Sequence, residues 1–62
     1  MRVYEKKQYI FILSPKENES GRKLIVGELN RKYDIWEKYY INEPPTIDKD
    51  GCSVYLVHVW EG

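Results

Sequence analysis

Two segments of the chain are apolar at almost every position, which is the pattern of strands covered on both faces. Residues 8–13 read Gln-Tyr-Ile-Phe-Ile-Leu, a short continuous run that predicts a central strand. Residues 52–60 place apolar side chains on both sides of a period-two alternation. We therefore predict strands at 8–13 and 52–60, and we expect them to lie side by side.

A third strand is predicted at residues 22–29, where two apolar positions fall on each face of a period-two pattern. Gly27 interrupts this segment, which predicts a bulge or a close approach of another backbone. Residues 14–21 precede it and are rich in Ser, Glu and other polar residues, with one Pro and one Gly. This composition predicts an exposed loop.

Residues 30–41 fit two patterns. As a strand at 33–41, the segment has high propensity, because six of its nine residues are β-branched or aromatic. As a helix at 31–41 capped by Asn30, it would place Tyr33, Trp36 and Tyr40 on one stripe. The helical period is the cleaner one, but propensity favours the strand, which is our prediction.

Turn residues divide the end of the chain. Pro44 and Pro45 end the preceding element, because neither can donate a backbone hydrogen bond. Asp50-Gly51 predicts a tight turn before the last strand. Residues 42–51 are therefore predicted to form a second exposed loop.

These elements predict a single small domain spanning 1–62. The fold class is all-β, a small antiparallel sheet or an SH3-like partly open barrel of about four strands. The alternative is an α+β fold, in which a three-stranded sheet carries one helix near 31–41. The sequence does not resemble a family that we recognise.

Composition supports a strand-rich fold and a small core. Val, Ile, Thr and the aromatic residues make up 21 of 62 residues, against four Leu and no Ala. A chain of this size is marginally stable alone, and its single cysteine, Cys52, cannot form an internal disulfide. We therefore expect a partner protein or self-association to a homo-oligomer.

The charge pattern argues against a strong overall attraction to nucleic acid. The net charge is zero, with a balance of +3 in residues 1–40 and −3 in residues 41–62. The longest apolar run, Tyr9 to Leu13, is too short for a signal peptide or a membrane span. We predict a cytoplasmic protein without membrane contact, and the bias towards residues with AT-rich codons suggests a phage or a low-GC bacterium.

Catalytic and metal motifs are not found in the sequence. Cys52 and His58 are six residues apart on one predicted strand, about 20 Å, so they cannot act as a nucleophile and its base. Residues 46–57 resemble a calcium loop around Asp48 and Asp50, but Val57 stands where a bidentate Glu is required. We predict no enzyme activity, no metal and no cofactor.

Aromatic residues supply the predicted binding site. Tyr39 and Tyr40 are adjacent, so a strand cannot point both into the core. Trp and Tyr dominate interface hot spots, because they bury a large area at a low conformational cost. The predicted partner-binding residues are the aromatic centre and a basic rim: Trp36, Tyr39, Tyr40, Arg31, Lys32 and Lys38.

The predicted function is a small non-catalytic binding module that docks this surface onto a partner protein, as an inhibitor or adaptor would. The alternative is a single-stranded nucleic-acid-binding protein, since bases stack on aromatic side chains above a basic groove. Zero net charge and the presence of Glu37 within the cluster favour the protein partner.

Overall fold

A computed structural model describes residues 1–6 and 8–60 of the chain. Its elements are β1 (Arg2–Glu5), β2 (Tyr9–Leu13), a 3-10 helix (Pro15–Ser20), α1 (Gly21–Arg31), β3 (Tyr39–Ile41), β4 (Thr46–Ile47) and β5 (Ser53–Val59). The described part of the chain is therefore mostly β-structure with one α-helix.

The five strands form one antiparallel sheet in the order β1-β2-β5-β3, and the short β4 pairs with the other end of β5. Strands β2 and β5 occupy the centre, with Phe11 directly opposite Tyr55. The sheet is open and does not close into a barrel. The prediction of a small antiparallel sheet is confirmed in this form, but the all-β class is not, because the chain also forms α1.

The two most apolar segments form the two central strands, as predicted. The predicted strand at 8–13 is observed at Tyr9–Leu13, and the one at 52–60 at Ser53–Val59. They pair along five residues. This placement follows from their apolar residues on both faces, which an edge position would leave exposed.

The predicted turn at Asp50-Gly51 is also observed. Gly51 has φ of 81°, a left-handed conformation that favours glycine. The Asp48 carboxylate accepts hydrogen bonds from the backbone N–H groups of Asp50 and Cys52, both at 2.9 Å. This side chain organises the turn that leads into β5.

The prediction of a strand at 22–29 is wrong, because this segment lies within α1. The helix buries Gly21, Ile25 and Leu29, a stripe at i, i+4 and i+8. The β-branched residues favoured a strand, but packing of this stripe onto the sheet overrides local propensity. Gly27 consequently lies in a helix and not at a bulge. In the predicted loop 14–21, residues 15–20 form a 3-10 helix.

The predicted strand over 33–41 is confirmed only at its end, and the alternative helix at 31–41 is wrong. Only Tyr39–Ile41 is a strand, and α1 ends at Arg31. Beyond the helix, the Ile35 N–H donates to the Leu29 carbonyl, and Asp34 has φ of 55°. This turn redirects the chain. In the predicted loop 42–51, the structure adds β4 at Thr46–Ile47.

The hydrophobic core lies between α1 and one face of the sheet, which we call the inner face. Its buried side chains come from the helix and from β2, β3 and β5: Phe11, Leu13, Ile25, Leu29, Ile41, Tyr55 and Val57. Buried Ser53 donates from its hydroxyl to the Asn18 side chain at 2.7 Å, which ties the 3-10 helix to the same face. The core is therefore one-sided.

The two helix glycines should respond in opposite ways to alanine. A Cβ at Gly21 would lie 2.9 Å from the Tyr55 hydroxyl and 3.3 Å from a Leu13 methyl group. We expect Gly21→Ala to lower the free energy of unfolding by about 1–3 kcal/mol through overpacking. A Cβ at Gly27 would meet only the mobile end of Arg31. Gly27→Ala should therefore stabilise by about 0.5–1 kcal/mol.

Urea denaturation of the two variants measures this contrast. Tyr55→Phe removes the oxygen that the new methyl group meets, so Gly21→Ala should cost less in that background. Equal effects of alanine at Gly21 and Gly27 would contradict the close packing of α1 on β5.

Tyr33 connects the end of α1 to the sheet and has a perturbed acidity. Its ring lies 4.8 Å from the Tyr9 ring, centroid to centroid. Burial raises the pKa of Tyr33 to about 12 from its ordinary value of 10.0, and the nearby Glu5 carboxylate adds to the shift. The folded protein thus favours the neutral phenol.

This raised pKa predicts a loss of stability at alkaline pH. The stabilisation that comes from the neutral Tyr33 phenol is complete below the pKa of Tyr33 in the unfolded chain, about 10. It is lost as the pH rises through the pKa of Tyr33 in the folded protein, about 12. Denaturant unfolding across this range should show a smaller loss for Tyr33→Phe than for the wild type. Tyr4→Phe, at an exposed tyrosine, should retain the wild-type loss. If the free energy of unfolding fell equally with pH in Tyr33→Phe and in the wild type, Tyr33 would not be the source of the alkaline loss.

Candidate binding surface

The face of the sheet opposite α1, which we call the open face, has an apolar centre. Its central side chains are Ile10 and Ile12 of β2 and Val54 and Leu56 of β5, all half-buried. Ile10 lies directly opposite Leu56, and Ile12 opposite Val54. Residues that face each other across adjacent strands point to the same side, so these four form one contiguous aliphatic patch.

Both helices pack on the inner face. Gly21 of α1 approaches the Tyr55 ring, and Asn18 of the 3-10 helix accepts the Ser53 hydroxyl. Tyr33 and Ile35, which follow α1, pack against the core on that side as well. The aliphatic patch on the open face is therefore not part of the core that these elements enclose.

Two tyrosines flank the aliphatic patch. Tyr4 of β1 lies opposite Ile10, and its side chain is 43% exposed. Tyr40 of β3 lies opposite His58 and is 53% exposed. The patch thus has an exposed, amphipathic aromatic side chain on each outer strand.

The charged groups of the open face are cationic. Arg2 of β1 lies opposite Ile12 of β2. Lys6 lines a shallow depression together with Gln8, Ile10 and His58. No strand position on this face, within the described residues, is Asp or Glu. Arg2 and Lys6 form no ion pair with any residue that the structure describes. Their charges are available to a ligand.

Two of the six residues predicted from the sequence lie on the open face. Tyr40 is one. Lys38 is the other. Its carbonyl accepts the Trp60 N–H at 2.9 Å, which extends the β3–β5 pairing by one position, and strand alternation then places Lys38 on the same face as Tyr40. Tyr39 points to the inner face, opposite Val59, and packs against the core. The expectation that Tyr39 and Tyr40 point to opposite sides is confirmed.

The other three predicted residues lie outside the strands that form the open face. Trp36 is 63% exposed in the segment between α1 and β3, where its indole N–H donates to Asp34 at 2.9 Å. The Arg31 guanidinium donates to the Gly27 carbonyl on α1, and the Lys32 ammonium lies 5.5 Å from the Tyr33 ring centroid. The six residues do not form a single surface. A binding role for Trp36, Arg31 and Lys32 stays a prediction.

Sequence reasoning did not assign the centre of the open face to a binding site. The signal was present, since both predicted central strands are apolar on both faces. A sheet with only one covered face usually shows polar residues on the other. The missed residues are those that β1, β2 and β5 place on the open face: Arg2, Tyr4, Ile10, Ile12, Val54, Leu56 and His58.

Two side chains that were considered for chemistry from the sequence, Cys52 and His58, lie directly before β5 and within it. Cys52 is a free, half-buried cysteine, and His58 is exposed on the open face. Within residues 1–6 and 8–60, no three His, Cys, Asp or Glu side chains are grouped so that they could hold a metal ion. The same residues contain no helix with the length and apolar character needed to cross a membrane.

Comparison with known proteins gives no match from which a function could be inferred. No protein-family model, curated protein or solved structure matches this chain. The function is therefore argued from the chemistry of the open face.

Proposed function

We propose that the protein is a small non-catalytic binding module that docks a partner protein onto the open face of its sheet. The observation that carries this proposal is the aliphatic patch of Ile10, Ile12, Val54 and Leu56 on a face that the chain's own helices leave free. A contiguous patch of half-buried apolar side chains, on a face that no helix covers, is a feature of interaction surfaces in soluble domains.

The composition of the open face suits a protein interface. Its aliphatic centre can be fully desolvated by a partner, and Tyr4 and Tyr40 lie on either side of it. Tyrosines beside a desolvated centre are frequent hot-spot residues, because their rings bury area while their hydroxyls form hydrogen bonds at the rim. Arg2 and Lys6 would then act at the rim, where charges chiefly tune association rate and specificity.

Single-stranded nucleic acid is the second candidate, and the cationic residues of the open face favour it. Arg2, Lys6 and Lys38 could contact phosphates, and tyrosine rings could stack on bases. However, the two tyrosines of this face lie on the outer strands, three strand spacings or about 14 Å apart. The central positions between them are aliphatic, and the exposed Trp60, which pairs with Lys38 beyond the end of β5, lies to one side of this centre. Successive bases would therefore lack a continuous aromatic platform across the sheet. A protein partner fits this centre better.

A chain of 62 residues that docks in this way would act by covering part of a larger protein. We propose the role of an inhibitor or adaptor in the cytoplasm of a bacterial cell, where a phage is one source of such chains. Self-association is a separate proposal, and sedimentation of the purified protein at micromolar concentration tests it.

The binding proposal is tested by affinity capture from a nuclease-treated extract of the native cell. Wild-type protein and the helix-side variant Lys23→Ala should retain the same partner protein. Leu56→Lys places a charge in the aliphatic patch and should lose the partner protein. Tyr4→Ala changes an exposed position, should also lose the partner, and serves as the test if Leu56→Lys does not fold. Circular dichroism identifies the folded variants. Capture that requires nucleic acid, or that survives in every folded open-face variant, would refute the proposal.

A further inference from the structure

We propose that the segment bound by the open face is an acidic amphipathic α-helix of the partner protein. This inference rests on the proposed function and adds the chemistry of the occupant. It is carried by three features of the open face: its uncompensated positive charge, its apolar centre and its dimensions.

The charged residues on the open face of the sheet are basic. The open face and its edges carry Arg2, Lys6 and Lys38. Within the described residues, none of the strand positions on this face is Asp or Glu. Glu17 belongs to the 3-10 helix and Glu28 to α1. A partner with carboxylates around an apolar stripe would complement this face, whereas a basic partner would be repelled.

The open face is wide enough for one helix. Four strands at about 4.8 Å spacing make a face about 14 Å across between the outer strand axes. An α-helix has a diameter of about 10 Å, and three turns extend about 16 Å. The stripe formed by positions i, i+3, i+4 and i+7 of such a helix would cover the aliphatic patch.

The inner face of the same sheet already accepts a helix in this manner. There α1 lays Gly21, Ile25 and Leu29 against β2 and β5. A second helix on the open face would complete a layered arrangement in which both apolar faces of the central strands are covered. This arrangement is the one that strands apolar on both faces require.

A second copy of this chain is a poorer occupant. Two open faces packed against each other would bring together Arg2, Lys6 and Lys38 of both copies without a carboxylate on the strand positions between them. The exposed side of α1 is no better matched, since it presents Lys23 and Arg31, while Arg22 is already paired with Glu43. The charges thus favour a different, acidic chain.

The test uses designed peptides as probes. One is an amphipathic helix of about 15 residues with Leu on one side and Glu on the others, and the second has every Glu replaced by Lys. A third probe is a single-stranded oligothymidine. Backbone amide chemical shifts of the full chain locate each probe, and a fluorescence titration of the labelled probe measures its affinity.

We expect the acidic peptide to bind at least about tenfold more tightly than the basic one and to shift the amides of β1, β2, β5 and β3 rather than those of α1. The double variant Arg2→Glu with Lys6→Glu should weaken this binding about tenfold or more. The matched reversal Lys23→Glu with Lys32→Glu on the helix side should change it less than about twofold.

The outcomes separate this inference from the proposed function. Equal or tighter binding of the basic peptide on the same face would overturn the acidic partner and leave the face as a protein-binding surface. Tighter binding of oligothymidine would overturn both in favour of nucleic acid. Failure of the acidic peptide to shift open-face amides would overturn the inference, and a partner that still binds through Tyr4 and Leu56 in the capture experiment would preserve the proposed function.

Discussion

Replacing Phe11 with alanine is expected to lower the free energy of unfolding by about 3–5 kcal/mol. Phe11 is completely buried at the centre of β2, where it lies between Val3 and Tyr55 on the inner face. Its removal leaves a cavity beneath α1, so both the transfer free energy and the packing around the ring are lost. A domain of 62 residues has a total stability of about 3–9 kcal/mol, so this loss removes a third or more of it and unfolds the variant where the total lies at the low end of that range.

The neighbouring residue provides a matched control for this large effect. Ile12 follows Phe11 on the same strand but points to the open face, where no other layer encloses it. Ile12→Ala should cost about 1 kcal/mol, since partial transfer is lost without formation of an enclosed cavity. Chemical denaturation monitored by tryptophan fluorescence measures both variants. Similar losses at Phe11 and Ile12 would contradict the one-sided core.

Alanine at Tyr40 is expected to weaken binding of the partner protein by about 2 kcal/mol or more. Tyr40 is 53% exposed on the open face, so its ring is available to a partner and contributes little to the core. The free energy of unfolding should therefore change by less than about 0.5 kcal/mol. Calorimetric titration of the purified complex and denaturation of the free protein separate the two effects.

Trp36→Ala distinguishes the open face from the surface predicted from sequence. Trp36 is more exposed than Tyr40, but it lies in the segment between α1 and β3. Loss of affinity at Tyr40 with little change at Trp36 would place the contact on the open face. Loss at Trp36 alone would instead support the aromatic centre predicted from the sequence and contradict the present account.

The central strands could be predicted from sequence because their pattern has one reading. Residues 9–13 and 53–59 are apolar on both faces, and such short runs fit a strand at the centre of a sheet. The edge strand β1, Arg2–Glu5, was not predicted, since three of its residues are exposed and two are charged. Strand β4 has only two residues, which is too short for a periodic signal.

The helix was missed because its apolar stripe is partly made of glycine. Ile25 and Leu29 are four positions apart, and Gly21 completes the stripe at the point where the helix approaches Tyr55. Glycine carries no hydrophobic signal in a sequence, and the β-branched pair Ile25-Val26 favours a strand. Only contact with the sheet decides between the two periods.

The binding surface could be predicted only in part for the same reason. Strand alternation alone separates Tyr39 from Tyr40. Which of the two is exposed depends on the face that α1 covers, and the sequence had placed no helix at Gly21–Arg31. Once the helix covers the inner face, the outward residues of β2 and β5 become the open face.

Site-specific photo-crosslinking in the native cell tests the central claim most directly, that a partner protein docks on the open face. A photoreactive phenylalanine derivative replaces Tyr40 in one variant and Lys23, exposed on α1, in the matched control. The account predicts a light-dependent adduct to one protein from the Tyr40 position, resistant to nuclease and absent from the Lys23 position. An adduct formed only from the Lys23 position, or one with nucleic acid from the Tyr40 position, would contradict it.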